Sequence, residues 1–220
     1  RSLEKKKQLK KKFKNCLVKT LAELNKKDKI NAVIHAASLN DKVSNSDKNS
    51  IKTSIKITKN IFSKLKTKNL NKIIYLSTAQ VYGSNLTGKV DENTKTKPIN
   101  NYGLSRLENE KYLKKLSRKF RINLLILRIS NVVGEPILKN KECLRLLPND
   151  IKHKANKIQS VILKSSGLQF RNFISLSSTA KIITKLSKIN IVGTKIYNLG
   201  GTNTSVLNFV KEFIKNFEKL

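Results

Sequence analysis

The chain has 220 residues, 38% of them hydrophobic, which is enough for one domain with a buried core and a small additional lobe. It contains no run of about 18 uncharged apolar residues, so the sequence predicts no membrane span, and no apolar segment typical of a signal peptide follows Arg1. The two cysteines, Cys16 and Cys143, are far apart and have no histidine at metal-ligand spacing. This favours reduced thiols, a cytoplasmic protein and no metal site.

The formal net charge of +33 has two interpretations. A strongly basic chain can bind nucleic acid or an anionic membrane surface. However, lysine supplies nearly all of the charge, it is spread from end to end, and only 6% of the residues are aromatic. Nucleic-acid-binding proteins usually concentrate their charge and interleave it with aromatic side chains or arginines. We therefore expect AT-rich codon usage at exposed positions to explain the charge, and no specific nucleic-acid partner.

Apolar segments alternate with amphipathic ones along the first part of the chain. After a polar, helix-prone opening, "INAVIHAAS" (30–38) is typical of a buried strand that ends in a loop. Residues 50–65 place apolar side chains at helical spacing, and a second strand begins "KIIYLSTAQVYG". A helix over residues 104–119 and a third strand, "INLLILRIS", follow. This order predicts an α/β fold in which helices cover both faces of a doubly wound parallel sheet.

Beyond Gly134 the pattern weakens, which predicts a smaller lobe. Two prolines and weak periodicity mark the first part of this region, and "LQFRNFISLSSTAKIITKL" then predicts a strand followed by a helix. A last strand, a Gly200-Gly201 turn and a capped helix end the chain. We expect residues 1–134 to form the sheet domain and residues 135–220 the lobe, with the last sheet elements at 170–200.

Polar or small residues follow each predicted strand of the sheet domain. They are His35 to Ala37 after the first strand, Ser77 and Thr78 after the second, and Arg128 with Asn131 after the third. In open α/β sheets, ligands bind in the crevice outside the carboxyl ends of the strands. The three strand ends therefore predict one common site.

Tyr102 and Arg106 lie one helical turn apart. A phenol is a poor base at neutral pH, but a fixed cation nearby favours the phenolate. If Ser77 or Thr78 binds a substrate hydroxyl, Tyr102 could remove its proton, and a nicotinamide would be the natural acceptor of the hydride. The spacing by itself is more typical of a chance surface pair.

Six short motifs occur in order along the chain: "VIHAAS", "YLSTAQVYG", "YGLSRLENE", "LRISNVVG", "QFRNFI" and "YNLGG". This set resembles the extended short-chain dehydrogenase/reductase family, specifically the NAD-dependent epimerase/dehydratase branch that acts on nucleotide sugars. The resemblance runs from residue 30 to residue 210. It implies a Rossmann-type fold, with a substrate-binding lobe in the C-terminal part.

The resemblance also implies roles for residues at the strand ends and on the helix. Ala36 and Ala37 resemble the small residues that let the cofactor approach the backbone. Ser77 is implied to lie beside the cofactor as well. Thr78 matches the catalytic Ser/Thr and Tyr102 the catalytic tyrosine. Arg106 takes the position of the lysine that contacts the nicotinamide ribose and assists the tyrosine.

Two further positions resemble substrate contacts of the family. Asn131 resembles the asparagine that contacts the sugar nucleotide, and Arg171 the arginine that holds the diphosphate, a role suited to its planar fork. The implied cofactor is NAD, with NADP as the alternative, and the implied substrate is a nucleotide sugar. A homodimer formed through a helix pair is implied by analogy.

The chain departs from the family pattern at several positions. Arginine at 106 keeps the charge of the usual lysine but is bulkier and planar. Ala79 and Gln80 occupy the positions of the Asp-Glu pair that sugar dehydratases carry, so we expect no elimination of water. Carboxylates of the family's "RDFIxVDD" pattern are replaced at Asn172, Ser177 and Ser178.

The glycine-rich loop that the family uses for the cofactor pyrophosphate has no counterpart, since no glycine precedes Gly83. We interpret the chain as lacking the first βαβ unit of the fold. Because that unit would contain a central strand, we expect an exposed sheet edge, low stability and weak dinucleotide binding for these 220 residues.

The leading hypothesis is therefore an NAD(P)-dependent epimerase, or a related reductase, acting on a nucleotide sugar, with Tyr102 as acid and base. The alternative is a catalytically impaired family member that binds a ligand or partner without turnover. A basic nucleic-acid-associated protein is a third hypothesis, and a steep loss of binding with salt would be its signature.

Overall fold

A computed structural model describes residues 2–24, 28–65, 67–83, 88–135, 163 and 165–217. Its helices are α1 (Ser2–Lys12), α2 (Asp41–Ser46), α3 (Ser50–Ser63), α4 (Asn101–Phe120), α5 (Leu176–Lys188) and α6 (Val206–Phe217). Its strands are β1 (Ala32–His35), β2 (Lys72–Thr78), β3 (Asn123–Ile129), β4 (Asn131–Val133), β5 (Phe170–Ser175), β6 (Thr194–Leu199) and β7 (Thr202–Ser205). Two short 3₁₀ helices span Thr67–Asn69 and Ala79–Tyr82.

The central sheet has four strands in the order β1-β2-β3-β6. β1 and β2 run parallel, with Val33 opposite Ile73 and His35 opposite Tyr75. A second sheet has the order β4-β5-β7, in which β5 is parallel to β4 and antiparallel to β7. The predicted α/β fold of Rossmann type, with a parallel central sheet, is confirmed.

The main hydrophobic core lies between the sheet and helices α3 and α4. Alternate residues of β2 and β3 supply it, because side chains two apart on a strand share one face of the sheet. The buried members of this cluster are Phe62, Leu65, Leu70, Ile73, Tyr75, Leu113, Ile122, Leu124 and Ile126. Burial on this scale explains why the short apolar runs of β2 and β3 become strands.

Helix α4 begins earlier than the sequence predicted. The side chain of Asn100 accepts a hydrogen bond from the backbone N–H of Gly103 at 2.8 Å and so caps the helix, which starts at Asn101. It ends where Arg121 adopts a left-handed conformation, with φ of 53°. The cap places Tyr102 in the first turn of the helix.

Strand β1 lies at one end of the central sheet among the residues that the structure describes. Ile34 on this strand is 50% exposed, and Ala32 is also exposed, whereas His35 is buried. An apolar strand at the end of the sheet thus leaves part of its apolar surface uncovered. The expected low stability and weak dinucleotide binding stay predictions.

The chain divides into two units, one of residues 1–127 and 190–197 and the other of residues 128–189 and 198–220. The predicted lobe at 135–220 stays a prediction, and its residues 136–162, including Cys143, lie outside the described part of the chain. Gly200 and Gly201 form the predicted turn, since they join β6 to β7. Within the described ranges, no helix is long and apolar enough to cross a membrane.

The core makes a prediction about stability. Leu124 on β3 is fully buried, so Leu124→Ala removes packed methyl groups and leaves a cavity, and we expect the free energy of unfolding to fall by about 2–5 kcal/mol. Leu17→Ala is the matched control, because Leu17 is 80% exposed and should change that free energy by less than about 0.5 kcal/mol. Urea unfolding followed by circular dichroism measures both. Equal effects would contradict the described core.

Candidate active site

The carboxyl end of β2 carries two hydroxyl side chains in different settings. Ser77 is buried and donates a hydrogen bond to the carboxylate of Glu110 on α4, with 2.6 Å between the oxygens. Thr78 caps the following 3₁₀ helix, because its hydroxyl oxygen accepts from the backbone N–H of Gln80 at 3.3 Å. The hydroxyl of Ser77 thus fastens the strand end to the helix, while Thr78 marks the point where the strand turns away.

Tyr102 and Arg106 meet in the first turns of α4. The Arg106 Nη2 donates to the Tyr102 hydroxyl oxygen at 3.3 Å, and the guanidinium carbon lies 4.9 Å from the centre of the Tyr102 ring. Tyr102 is half-buried, whereas Arg106 is only 8% exposed. The cation that bonds the phenol is therefore buried, whereas both side chains of an ordinary surface pair are exposed.

Gly103 lets α4 approach the turn that follows β2. A Cβ at this position would lie 2.7 Å from the carbonyl oxygen of Gln80 and 3.1 Å from the Cβ of Pro98, so a larger residue would force these segments apart. The Nδ2 of Asn100 also donates to the Oε1 of Gln80 at 3.0 Å. The turn after Thr78 and the start of the helix that carries Tyr102 are therefore in direct contact.

The guanidinium of Arg106 keeps its positive charge and is held by hydrogen bonds. Its Nη1 donates to the carbonyl oxygen of Leu76 on β2 at 3.5 Å. Burial lowers the pKa of Arg106, but the phenols of Tyr102 and Tyr75 outweigh that effect, and the net pKa is raised. The site thus contains a permanent positive charge beside Tyr102.

His35, at the end of β1, packs beside this charge. Its Nε2 is 2.9 Å from the hydroxyl oxygen of Thr58, and its ring contacts those of Phe62 and Tyr75. Burial, together with the positive charge of Arg106, lowers the pKa of His35 to about 4. His35 is therefore neutral at physiological pH.

Ala36 and Ala37 follow directly after β1, and both are exposed. Since His35 lies opposite Tyr75 in the parallel pair β1–β2, these alanines leave the sheet at the same edge as Ser77 and Thr78. The structure thus brings Ala36, Ala37 and Thr78 to one edge. Helix α4 places Tyr102 against the turn at that edge.

Two of the three residues predicted to bind substrate, Asn131 and Arg171, belong to the second unit. The Nδ2 of Asn131 donates to the backbone oxygen of Asn172 at 2.9 Å and so joins β4 to β5. Arg171 is exposed on β5, opposite Thr204 of β7. The Asn172 side chain, where the family pattern has a carboxylate, bonds both the N–H and the carbonyl of Gly201. Asn131 and Asn172 thus hold the second sheet together, and the assigned roles of Asn131 and Arg171 stay predictions.

Sequence reasoning missed two buried residues that contact the Tyr102–Arg106 pair or the strand end. Glu110 lies one turn beyond Arg106 on the same face of α4, so helical spacing could have revealed it. Tyr75 lies two residues before Ser77 on β2, so the alternation of the strand could have revealed it. Both are polar residues with no exposed surface. A search for runs of apolar residues does not identify buried polar positions of this kind.

The parallel sheet, with Tyr102 and Arg106 on the helix beside the end of β2, is typical of a Rossmann-type protein of the short-chain dehydrogenase/reductase class. The profile of the NAD dependent epimerase/dehydratase family matches residues 4–200. The chain belongs to that family.

Individual relatives agree with this assignment. The chain is 32% identical over 139 residues to the "Uncharacterized UDP-glucose epimerase YtcB" of Bacillus subtilis, covering 62% of this chain and 42% of that protein. It is 30% identical over 148 residues to human dTDP-D-glucose 4,6-dehydratase, covering 66% and 40%. The UDP-glucuronic acid 4-epimerase of Bacillus cereus, solved with a substrate analogue and NAD, shares the fold with a TM-score of 0.73 and 23% identity, covering 90% of this chain and 62% of that one. The chain thus spans less than two thirds of each.

The Ser77–Glu110 bond predicts a stability effect. Ser77→Ala leaves the buried carboxylate of Glu110 without this donor, and we expect the free energy of unfolding to fall by about 1–3 kcal/mol. Ser63→Ala is the control, because Ser63 is exposed and bonds only within its own helix. Urea unfolding measures the difference. A loss for Ser77→Ala no larger than for Ser63→Ala would contradict a structural role for the bond.

His35 predicts a pH dependence of stability. Its folded pKa of about 4 lies below the ordinary value of 6.5, so the unfolded chain binds the proton first. The contribution of neutral His35 is complete above pH 6.5 and is lost as the pH falls towards 4, by about 3 kcal/mol in total. The measurement is urea unfolding between these pH values, with His35→Asn as the comparison. An equal slope in both proteins would contradict the assignment.

Proposed function

We propose that the chain contains the catalytic residues of an NAD-linked epimerase, or a related reductase, that acts on a nucleotide sugar. The observation that carries the proposal is the hydrogen bond from the buried Arg106 to the hydroxyl of Tyr102, at the edge where β1 and β2 end. Family membership supports a nucleotide-sugar substrate in general, and similar proteins are named as UDP-sugar epimerases and a dTDP-sugar dehydratase.

The proposed chemistry begins with a proton. The Tyr102 oxygen exchanges a proton with a substrate hydroxyl, and the permanent charge of Arg106 lies beside that oxygen, with 3.3 Å between Nη2 and the hydroxyl oxygen. Thr78, at the end of β2, orients that hydroxyl by a hydrogen bond. NAD, when bound, would supply a reversible hydride acceptor for the same carbon. In an epimerisation, Tyr102 would return the proton to the substrate oxygen once that carbon has taken the opposite configuration.

The residues present fit the nicotinamide end of NAD or NADP. Ala36 and Ala37 are exposed at the sheet edge and carry no more than a methyl group, so they leave room beside the backbone. Ser77, Tyr102 and Arg106 complete the proposed contacts. The printed sequence offers no glycine-rich loop for the pyrophosphate, since its first glycine is Gly83. We therefore assign only the nicotinamide side of the cofactor to these residues.

Dehydration is the less favoured reaction for this site, although a dehydratase is among the similar proteins. Elimination of water needs an acid and a base at the carbon next to the oxidised one. Ala79 has no titratable group, and the Gln80 amide is bound to Asn100. Asn131 and Arg171 are proposed to hold the nucleotide part of the substrate, and a homodimer is proposed as the assembly.

A catalytically impaired, ligand-binding protein is the second candidate, because Arg106 replaces the family's lysine. The two candidates differ in the effect of Arg106→Lys. In an active enzyme adapted to arginine, this change lowers the rate, since the shorter chain cannot reach both the Leu76 carbonyl and Tyr102 as the fork does. In a protein impaired by the arginine, the change restores turnover.

The proposal predicts that Tyr102 is required for turnover. Tyr102→Phe should lower kcat by about 10²–10⁴-fold relative to the unsubstituted protein, because the ring stays and only the proton-transferring oxygen is lost. The assay follows epimerisation of a panel of UDP- and dTDP-hexoses, together with transient reduction of bound NAD. Tyr112→Phe is the control, since Tyr112 lies on the same helix and packs against the core. Unchanged turnover in Tyr102→Phe would overturn the proposal.

A further inference from the structure

Two side chains hold the first turn of α4, the turn that carries Tyr102. The first N–H groups of a helix have no partner within that helix, so they bond side chains elsewhere or water. Asn100, the N-cap, accepts from the N–H of Gly103 at 2.8 Å. The Oδ1 of Asn45 accepts from the backbone N–H of Tyr102 at 3.1 Å. Asn45 belongs to α2, so the position of Tyr102 depends on an amide outside its own helix.

Asn45 has an exposed side chain on a fixed backbone. Helix α2 is capped by Asn40, whose Oδ1 accepts from the N–H of Val43 at 2.9 Å. Ser44, next to Asn45, is fully buried, and its carbonyl oxygen accepts from the hydroxyl of Ser50 at 2.6 Å. The side chain of Asn45 therefore extends from an anchored turn, and its acceptor oxygen has a defined place.

The segment that leads to α2 is attached to α4 at its other end as well. Ser38 follows directly after the two alanines assigned to the nicotinamide side, and its hydroxyl oxygen is 2.9 Å from that of Ser54 on α3. The Nδ2 of Asn109, a fully buried residue of α4, donates to the same Ser54 oxygen at 2.9 Å. The segment 38–45 is therefore connected to one helix, α4, at both of its ends.

The main chain of Tyr102 is also held at its carbonyl. The hydroxyl of Ser105 donates to that oxygen at 2.8 Å, and Ser105 has no exposed surface. This bond lies within α4, so it maintains the helical turn but does not set where the turn lies relative to β1. The bond from Asn45 does so, because it joins the turn to the element that follows β1 along the chain.

We propose that Asn45 is a positioning residue for Tyr102: its Oδ1 fixes the backbone of Tyr102, and thereby the phenol, relative to the loop after β1. That loop contains Ala36 and Ala37, which are proposed to lie beside the nicotinamide. The acid–base group and the edge that faces the cofactor then share one set of hydrogen bonds. The consequence for turnover rests on the proposed function, whereas the consequence for the N–H of Tyr102 does not.

The first test observes the amide of Tyr102 directly. The protein is labelled with ¹⁵N-tyrosine, which gives five backbone resonances, and that of Tyr102 is assigned by its loss in Tyr102→Phe. We expect Asn45→Ala to shift this resonance and to speed its hydrogen exchange by about three- to tenfold, as loss of one hydrogen bond would. Asn45→Asp keeps an acceptor oxygen and should retain the slow exchange.

Two controls separate a local effect from a general one. Tyr112 lies in the middle of the same helix, and its amide exchange should not change in Asn45→Ala. Asn49→Ala removes an exposed side chain that makes no capping bond, so it should leave the resonance of Tyr102 as it is. An unchanged Tyr102 resonance in Asn45→Ala, or an equal acceleration of exchange at Tyr112, would overturn the proposal.

Turnover gives the second readout. In an active protein, Asn45→Ala should lower kcat by about three- to tenfold with little change in KM, because the substrate contacts remain while the phenol is less well placed. Asn45→Asp should restore most of the rate. A loss that Asn45→Asp does not restore, or a change confined to KM, would contradict positioning. A protein without turnover would remove the proposed function, while hydrogen exchange at Tyr102 would still decide the role of Asn45.

Discussion

The site depends on one buried cation. Arg106 is 8% exposed, yet it cannot give up its proton, so the protein must surround it with oxygens. A carbonyl oxygen of β2 and the hydroxyl oxygen of Tyr102 accept hydrogen bonds from it. Burial first, and this charge second, keep His35 neutral beside it.

Helix α4 connects Arg106 to the central sheet. Its buried face carries Arg106 and Glu110 one turn apart, and each contacts the end of β2, the first at a carbonyl and the second at Ser77. The helix is capped by Asn100 and packed against the core through Leu113. Fold stability and site geometry thus rest on the same two elements, and a change at Ser77 is expected to affect both.

The sequence predicted those parts of the structure that have a local signal. Strands β2 and β3 are uninterrupted apolar runs, and α3 repeats its apolar residues with helical period. Strand β7, "TNTS", was missed because a short polar strand exists only through its pairing with β5. The spacing of Tyr102 and Arg106 was visible, but the burial of Arg106 and its contact with the Leu76 carbonyl arise from tertiary packing. No single-chain pattern records such contacts.

The close approach at Gly103 has a consequence for how the protein can diverge. The turn after Thr78 and the start of α4 touch backbone to backbone there, without an intervening side chain. A side chain at Gly103 would separate these segments, whereas substitutions at exposed positions do not touch this contact. The many lysines of this +33 chain are therefore compatible with the close approach. The close approach at Gly103 is therefore independent of most of the sequence.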